Sequence, residues 1–258
     1  MEEKNTVTTL APQEIKTNEL VVDIKGLKKT FGSKDVLKNV NIKLIKGENL
    51  VILGKSGTGK SVLIKCMMRL IQPDEGDIEV LDKNILELKE KELNEMRKKI
   101  GFLFQSAALY DSMTVGENLE FPLREEKKIS VQEKSKRVLT ALQNVGLEES
   151  INKMPSELSG GMRKRIGLAR TMMLEPQIML YDEPTTGLDP ITSKEISKLI
   201  LDIQKKYNTS SIIITHDMEC ARITANRIVI LKEGEVAMEG TYEELKKSED
   251  EWIRSFFE

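Results

Sequence analysis

Leu50-Val51-Ile52-Leu53-Gly54-Lys55-Ser56-Gly57-Thr58-Gly59-Lys60-Ser61 is an apolar run that breaks into glycines and ends on a lysine and a hydroxyl. Four successive apolar residues suit a strand buried on both faces. From Gly54 onward the stretch fits GxxxxGK[ST] without a mismatch. Glycines let the backbone wrap closely around phosphate oxygens, so that successive N–H groups point inward. The helix expected to start near Gly59 adds its positive end. Lys60 supplies a mobile cation for β and γ phosphates, and Ser61 offers a hydroxyl to Mg²⁺. An ordinary glycine turn would need neither the lysine nor the serine. The stretch therefore predicts a strand, a phosphate-binding loop and a helix.

Further strand-like runs lie on both sides of this loop. LVVDI (20–24) and VNIKLI (40–45), the second with period-2 alternation, precede it. The helix SVLIKCMMRL (61–70) follows and is expected to close at Pro73. A strand IEVL (78–81), a charged helix KEKELNEMRKK (89–99) and a strand IGFLF (100–104) come next. From about 106 to 172 the strand signal disappears. Ser130 and Glu133 are spaced as a capping box, and Val138, Leu139, Leu142 and Val145 recur as one helical face. Strands return at IMLY (178–181), SIIIT (211–215) and RIVIL (227–231), with a helix between the first two. The simplest arrangement is a parallel-sheet core interrupted by an all-helical insertion. Residues 1–18 are polar and unpatterned and read as a flexible tail.

Composition narrows the function. Hydrophobic residues make up 39% and charged residues 32% of the 258, enough for a packed core under a heavily charged surface. The net charge of −2 disfavours nucleic acid as a partner, because such binding leaves a basic excess. Cys66 and Cys220 form no CxxC and read as reduced thiols. No basic segment followed by an apolar one opens the chain, so no secretory signal is expected. Apolar runs such as Leu50–Leu53 and Ile228–Leu231 fall far short of the roughly 18–20 residues of a membrane helix.

Asp182 and Glu183 end the apolar strand at Ile178–Tyr181. Open α/β sheets bind ligands at the carboxyl edges of their strands. Asp182 is placed to hold Mg²⁺, and Glu183 to polarise an attacking water. With these two motifs, Leu158-Ser159-Gly160-Gly161 strongly resembles the signature of the ATP-binding-cassette (ABC) family. The resemblance runs from about residue 20 to 240. Gln105, after GFLF, matches the family's metal- and water-sensing glutamine, and Gly187-Leu188-Asp189-Pro190 matches its D-loop. His216, the single histidine, matches the switch histidine, and Phe31 the aromatic that stacks on adenine.

The resemblance implies an α/β P-loop NTPase core over residues 19–240, with N-terminal antiparallel strands and the helical subdomain inserted at about 106–172. Residues 241–258 would form a C-terminal helical tail. It implies an ATPase with ATP and Mg²⁺ as cofactors. ATP would lie on Phe31, Gly54, Lys55, Ser56, Gly57, Thr58, Gly59, Lys60, Ser61 and Val62. Mg²⁺ would lie on Ser61, Gln105 and Asp182, and catalysis would rest on Glu183, His216 and Gln105. Ser159, Gly160, Gly161 and Asp189 would close over the ATP of a second identical subunit, giving a homodimer with composite sites.

Most of the family carries Gln after LSGG, where this chain has Met162. A thioether cannot replace the amide's hydrogen bonds. Met-Pro-Ser-Glu-Leu-Ser-Gly-Gly-Met-Arg-Lys-Arg (154–165) is similar to the ATP-binding subunit of maintenance-of-lipid-asymmetry phospholipid transporters, as are FQSAALY (104–110) and EFPLR (120–124). That subgroup implies integral-membrane permease partners, a membrane-anchored substrate-binding subunit, a small accessory subunit and a place on the cytoplasmic face of the inner membrane. An importer of amino acids or other small solutes is the alternative. A soluble ABC protein acting on ribosomes or DNA stands further off, since the chain has neither a second cassette nor a long coiled-coil insertion. Trp252, Ile253, Phe256 and Phe257 recur at helical spacing, either to pack on the chain's own core or to meet an accessory subunit or second protomer.

Overall fold

The computed structural model describes residues 12, 15, 17–126 and 128–257, so the tail expected at 1–18 lies largely outside the described residues. In chain order the elements are β1 (Leu20–Phe31), β2 (Lys34–Ile45), β3 (Asn49–Leu53), α1 (Lys60–Met67), β4 (Glu75–Val80), β5 (Lys83–Asn84), α2 (Glu90–Lys98) and β6 (Ile100–Leu103). Helices α3 (Val115–Glu120), α4 (Val131–Val145) and α5 (Gly160–Thr171) follow without a strand. Then come β7 (Ile178–Asp182), α6 (Pro190–Tyr207), β8 (Ser210–Ile214), α7 (Met218–Thr224), β9 (Arg227–Lys232), β10 (Glu235–Gly240), α8 (Tyr242–Lys246) and α9 (Glu251–Arg254).

Among the described residues the strands make two sheets. One is antiparallel in the order β2-β1-β4-β5, and the other runs β10-β9-β3-β8-β7-β6. In the second, every neighbouring pair is parallel except β9 with β10. Its central strands β3, β7 and β8 are buried throughout, which explains their unbroken apolar runs. The period-2 pleat then divides their side chains between two cores. Leu50 and Ile52 face α1 and the antiparallel sheet; Val51 and Leu53 face the layer built from α3 to α7. The α/β class, the N-terminal antiparallel strands and the strand-free stretch between β6 and β7 all match expectation.

Several details do not. Helix α1 ends at Met67, well before Pro73, because Arg69 turns left-handed at φ 48° and Lys65 O accepts from Leu70 N and Ile71 N. At α4 only half of the capping box forms. Ser130 Oγ accepts from Glu133 N, whereas the Glu133 carboxylate accepts from Arg137 Nε at 3.2 Å. The buried face of α4 is Val138, Ala141, Leu142 and Val145, and Leu139 is half exposed. Strand β10 and helix α7 lacked a readable apolar pattern. The β9–β10 hairpin turns through Glu233 and Gly234, both at positive φ, as a two-residue hairpin loop requires.

Ile253 is buried, and Trp252, Phe256 and Phe257 pack against the chain's own core, with edge-to-face pairs Trp252–Phe256 and Tyr242–Phe257. Both cysteines are free, and burial pushes the Cys66 thiol up to about 11 and the Cys220 thiol up to about 12. No helix among the described residues is long and apolar enough to cross a membrane.

Candidate active site

The loop between β3 and α1 is shaped by its glycines. Gly57 and Gly59 sit at φ 80° and 101°. A Cβ on Gly59 would lie 2.7 Å from Val36 O, and one on Gly54 would lie 2.8 Å from Leu231 O. The loop is thus pressed between the β1–β2 hairpin side of the molecule and β9. Thr58 Oγ1 donates to Lys55 O at 2.9 Å, tightening the turn. Lys60 Nζ curls back to donate to Gly54 O at 2.6 Å and to Lys55 O at 3.1 Å. Burial lowers its pKa from the ordinary lysine value, while Glu183 and Asp182 raise it. Beside the loop lies a cleft of about 500 Å³, lined in part by Lys55, Ser56, Lys60, Ser61, Val62, Gln105, Glu183 and His216.

Strand β8 separates β3 from β7, yet the two motifs meet at their ends. Ser61 Oγ donates to Asp182 Oδ1 at 3.0 Å. This hydroxyl and carboxylate, with the Gln105 amide on the same cleft, are hard oxygen donors and fit Mg²⁺. The described residues contain no cluster of three or more His, Cys, Asp and Glu that could hold another metal. Glu183 adopts φ 51°, and its N–H donates to Ile214 O at 2.9 Å. Its Oε2 lies 2.8 Å from His216 Nδ1 and accepts from Thr186 Oγ1 at 3.0 Å. The carboxylate is therefore aimed by two partners at the cleft, a geometry suited to ordering a water. The rest of the His216 ring is largely exposed.

Other expected residues lie apart. Phe31 is 47% exposed at the end of β1, with Lys29 Nζ 5.3 Å from its ring centroid, and Val36 rather than Phe31 lines the cleft. Ser159 is the N-cap of α5, its Oγ accepting from Met162 N at 3.2 Å. Ser159, Gly160 and Gly161 do not line their own chain's cleft; a Cβ on Gly161 would lie 2.6 Å from Thr192 Cγ2 of α6. Asp189 caps α6: Oδ1 accepts from Ile191 N and Thr192 N, and Oδ2 from Thr192 Oγ1. These bonds, led by the Thr192 hydroxyl, hold its carboxyl below the usual range. Met162 is half-buried against the apolar core.

Lys164 escaped the sequence reading. It is 5% exposed, and its Nζ donates to Gln105 O at 2.6 Å and to Glu183 O at 3.1 Å. Only its neighbourhood to the signature pointed to it, since a lysine on a helix ordinarily reads as a solvated face.

The sequence profile of the ABC transporter family matches residues 37–186. The probable ribonucleotide transport ATP-binding protein mkl of Mycobacterium leprae is 41% identical over 92% of this chain and 68% of its own. The methionine import ATP-binding protein MetN of Clostridioides difficile is 40% identical over 87% of this chain and 70% of its own. Among solved structures, the ATP-binding cassette MJ0796, as a dimer in a post-hydrolysis state with ADP and Pi, superposes with a TM-score of 0.78 at 35% identity. That match covers 85% of this chain and 98% of the cassette. A complete phosphate loop, a serine–aspartate pair of oxygens beside it and this fold agree with that likeness over most of the chain: it belongs to the ABC transporter family, as an ATP-binding and ATP-hydrolysing subunit.

Proposed function

We propose that the chain is the ATPase of a phospholipid transporter and works as a homodimer whose two ATP sites are each completed by the other subunit. The observation that carries the dimer is the separation of Ser159–Gly161 from their own cleft. The Ser159 hydroxyl and the N-terminus of α5 form an anion-seeking end, and a second copy supplies the nucleotide it lacks. The dimeric cassette MJ0796, 35% identical to this chain, supports the same arrangement.

In each site the loop from Gly54 to Val62 wraps the phosphates and Lys60 neutralises β and γ oxygens. Ser61, Asp182 and Gln105 hold Mg²⁺, which when bound screens the phosphate charge. Glu183 acts as general base, oriented by His216 and Thr186. Asp189 fixes the start of α6 at the subunit boundary, and Phe31 offers an open ring to adenine. Residues 19–240 form the ATPase unit. The helical segment at 106–172 passes closure of the dimer to integral-membrane permease subunits at the cytoplasmic face of the inner membrane. A membrane-anchored substrate-binding subunit and a small accessory subunit complete the assembly.

The phospholipid assignment rests on residues 154–165, with Met162 in the signature half-buried against the core. The 40% identity to a methionine import protein favours a second reading, an importer of a small solute. Both are separated by one experiment. Glu183→Gln removes the base but keeps the phosphate contacts, so ATP binding persists, the dimer stays closed and turnover falls to background. Recovering this variant from native membranes with ATP should bring a permease and phospholipid. A permease without lipid discards the lipid assignment, ribosomes or nucleic acid discard the transporter role, and normal hydrolysis by the variant discards Glu183 as base.

A further inference from the structure

We propose that Lys164 is a positioning residue for ATP hydrolysis, tying the Gln105 segment and the Glu183 backbone to the helix that carries Ser159–Gly161. The inference rests on the dimer reading above for its reach across the interface.

Three observations support it. Lys164 lies five residues after Ser159 on α5, about 7 Å along the helix axis. Its ammonium is removed from water and donates to two backbone carbonyls, a short bond to Gln105 O at 2.6 Å and an ordinary one to Glu183 O at 3.1 Å. These carbonyls belong to separate segments, one leaving β6 and the other leaving β7. Those two segments carry the side chains that flank the same cleft.

The chemistry explains why one side chain should sit there. Glu183 holds a left-handed backbone at φ 51°, a conformation that a non-glycine residue keeps only when its surroundings fix it. Its N–H is held by Ile214 O and its carbonyl by Lys164, so the peptide on each side of the carboxylate is pinned. A buried ammonium is costly to keep, and it persists on α5 only because carbonyl oxygens accept from it. Burial lowers the Lys164 pKa, while Asp182 and Glu183, the acids facing it, raise it. The charge sits where it links three parts of the site. When α5 shifts on meeting the partner's nucleotide, the same helix pulls on both carbonyls of its own site. Hydrolysis is then competent only with the signature engaged.

The test uses the full chain with Lys164→Met, which keeps the unbranched chain up to the ammonium and removes the donors, and Lys164→Arg, which restores charge and donors. Steady-state hydrolysis, affinity for a fluorescent ATP analogue and thermal midpoint are measured for each. ATP-driven dimerisation is followed in the Glu183→Gln background. Lys164→Met should lower kcat by about tenfold or more, the loss expected of charge-assisted bonds, with KM and analogue affinity within about threefold of the parent. Lys164→Met combined with Glu183→Gln should still dimerise with ATP, and Lys164→Arg should recover most of kcat. Parental kcat in Lys164→Met overturns the proposal. So does a fall in kcat matched by falls in analogue affinity and thermal midpoint that Lys164→Arg shares, since that is a structural staple. A Glu183→Gln parent that stays monomeric with ATP defeats the dimer reading and the reach across the interface; the kcat comparison then judges the role of Lys164 within its own site.

Discussion

The smallest unit that decides this site is a missing side chain. Gly59 stands at φ 101° with Val36 O and Leu37 Cδ2 placed 2.7 and 2.8 Å from where a Cβ would be. Alanine there is strained twice, by its backbone and by a carbonyl of β2. Gly59→Ala should therefore cost about 1–3 kcal/mol in the loop's conformation, a loss of about fivefold to 150-fold in ATP affinity. Titration with a fluorescent ATP analogue checks it, and unchanged affinity would show that the loop relaxes freely. The need for glycine was visible in the motif, but its cause was not. The contact is with β2, whose side chains cannot be assigned to the loop without the fold. Lys164 shows the reverse case: its residue type suggested a surface charge, and only burial reveals its partners.

At the scale of elements, the segment after β6 is held by Asn118 of α3. Its Nδ2 donates to Tyr110 O, Met113 O and Thr114 O, each at 3.0 Å, and its Oδ1 accepts from Tyr110 N at 2.8 Å. One fully buried amide thus satisfies backbone groups of a loop that has no ladder of its own. Asn118→Ala should destabilise the chain by about 1–3 kcal/mol, because Tyr110 N and Met113 O lose the amide, while Tyr110 O and Thr114 O keep backbone donors. Urea unfolding measures this, and a loss below about 1 kcal/mol would mean that water replaces the amide. Sequence spacing found the helices here but misjudged their details. In α4 the serine caps as expected, while Glu133 prefers the Arg137 guanidinium one turn on. Leu139 fits a helical repeat, yet the neighbouring elements cover the Ala141 side of the helix instead.

At the scale of the whole molecule, the two sheets are joined by an ion pair, with the carboxylate buried and the guanidinium partly exposed, that the motifs do not mention. Glu48 is fully buried, accepts from Ile45 N at 2.9 Å and pairs with Arg227 Nε at 2.8 Å. Arg227 also reaches Lys43 O at 2.7 Å, so the end of β2 is fastened to β9. Glu48→Ala leaves a guanidinium without its main counter-charge and should cost about 3–5 kcal/mol. Thermal or urea denaturation checks this, and a near-neutral effect would show that Glu239 takes over the pairing. By itself the sequence determined the α/β class, the phosphate loop, the acidic pair and the signature, because each depends on neighbours within a few positions. Contiguous spacing fixes backbone geometry and local chemistry. Only the tertiary structure decided that Ser61 meets Asp182 across an intervening strand, that Lys164 joins Gln105 to Glu183, and that the signature stands away from its own cleft. Those contacts link residues far apart along the chain, and their partners are chosen by strand order and helix packing, which no local spacing encodes.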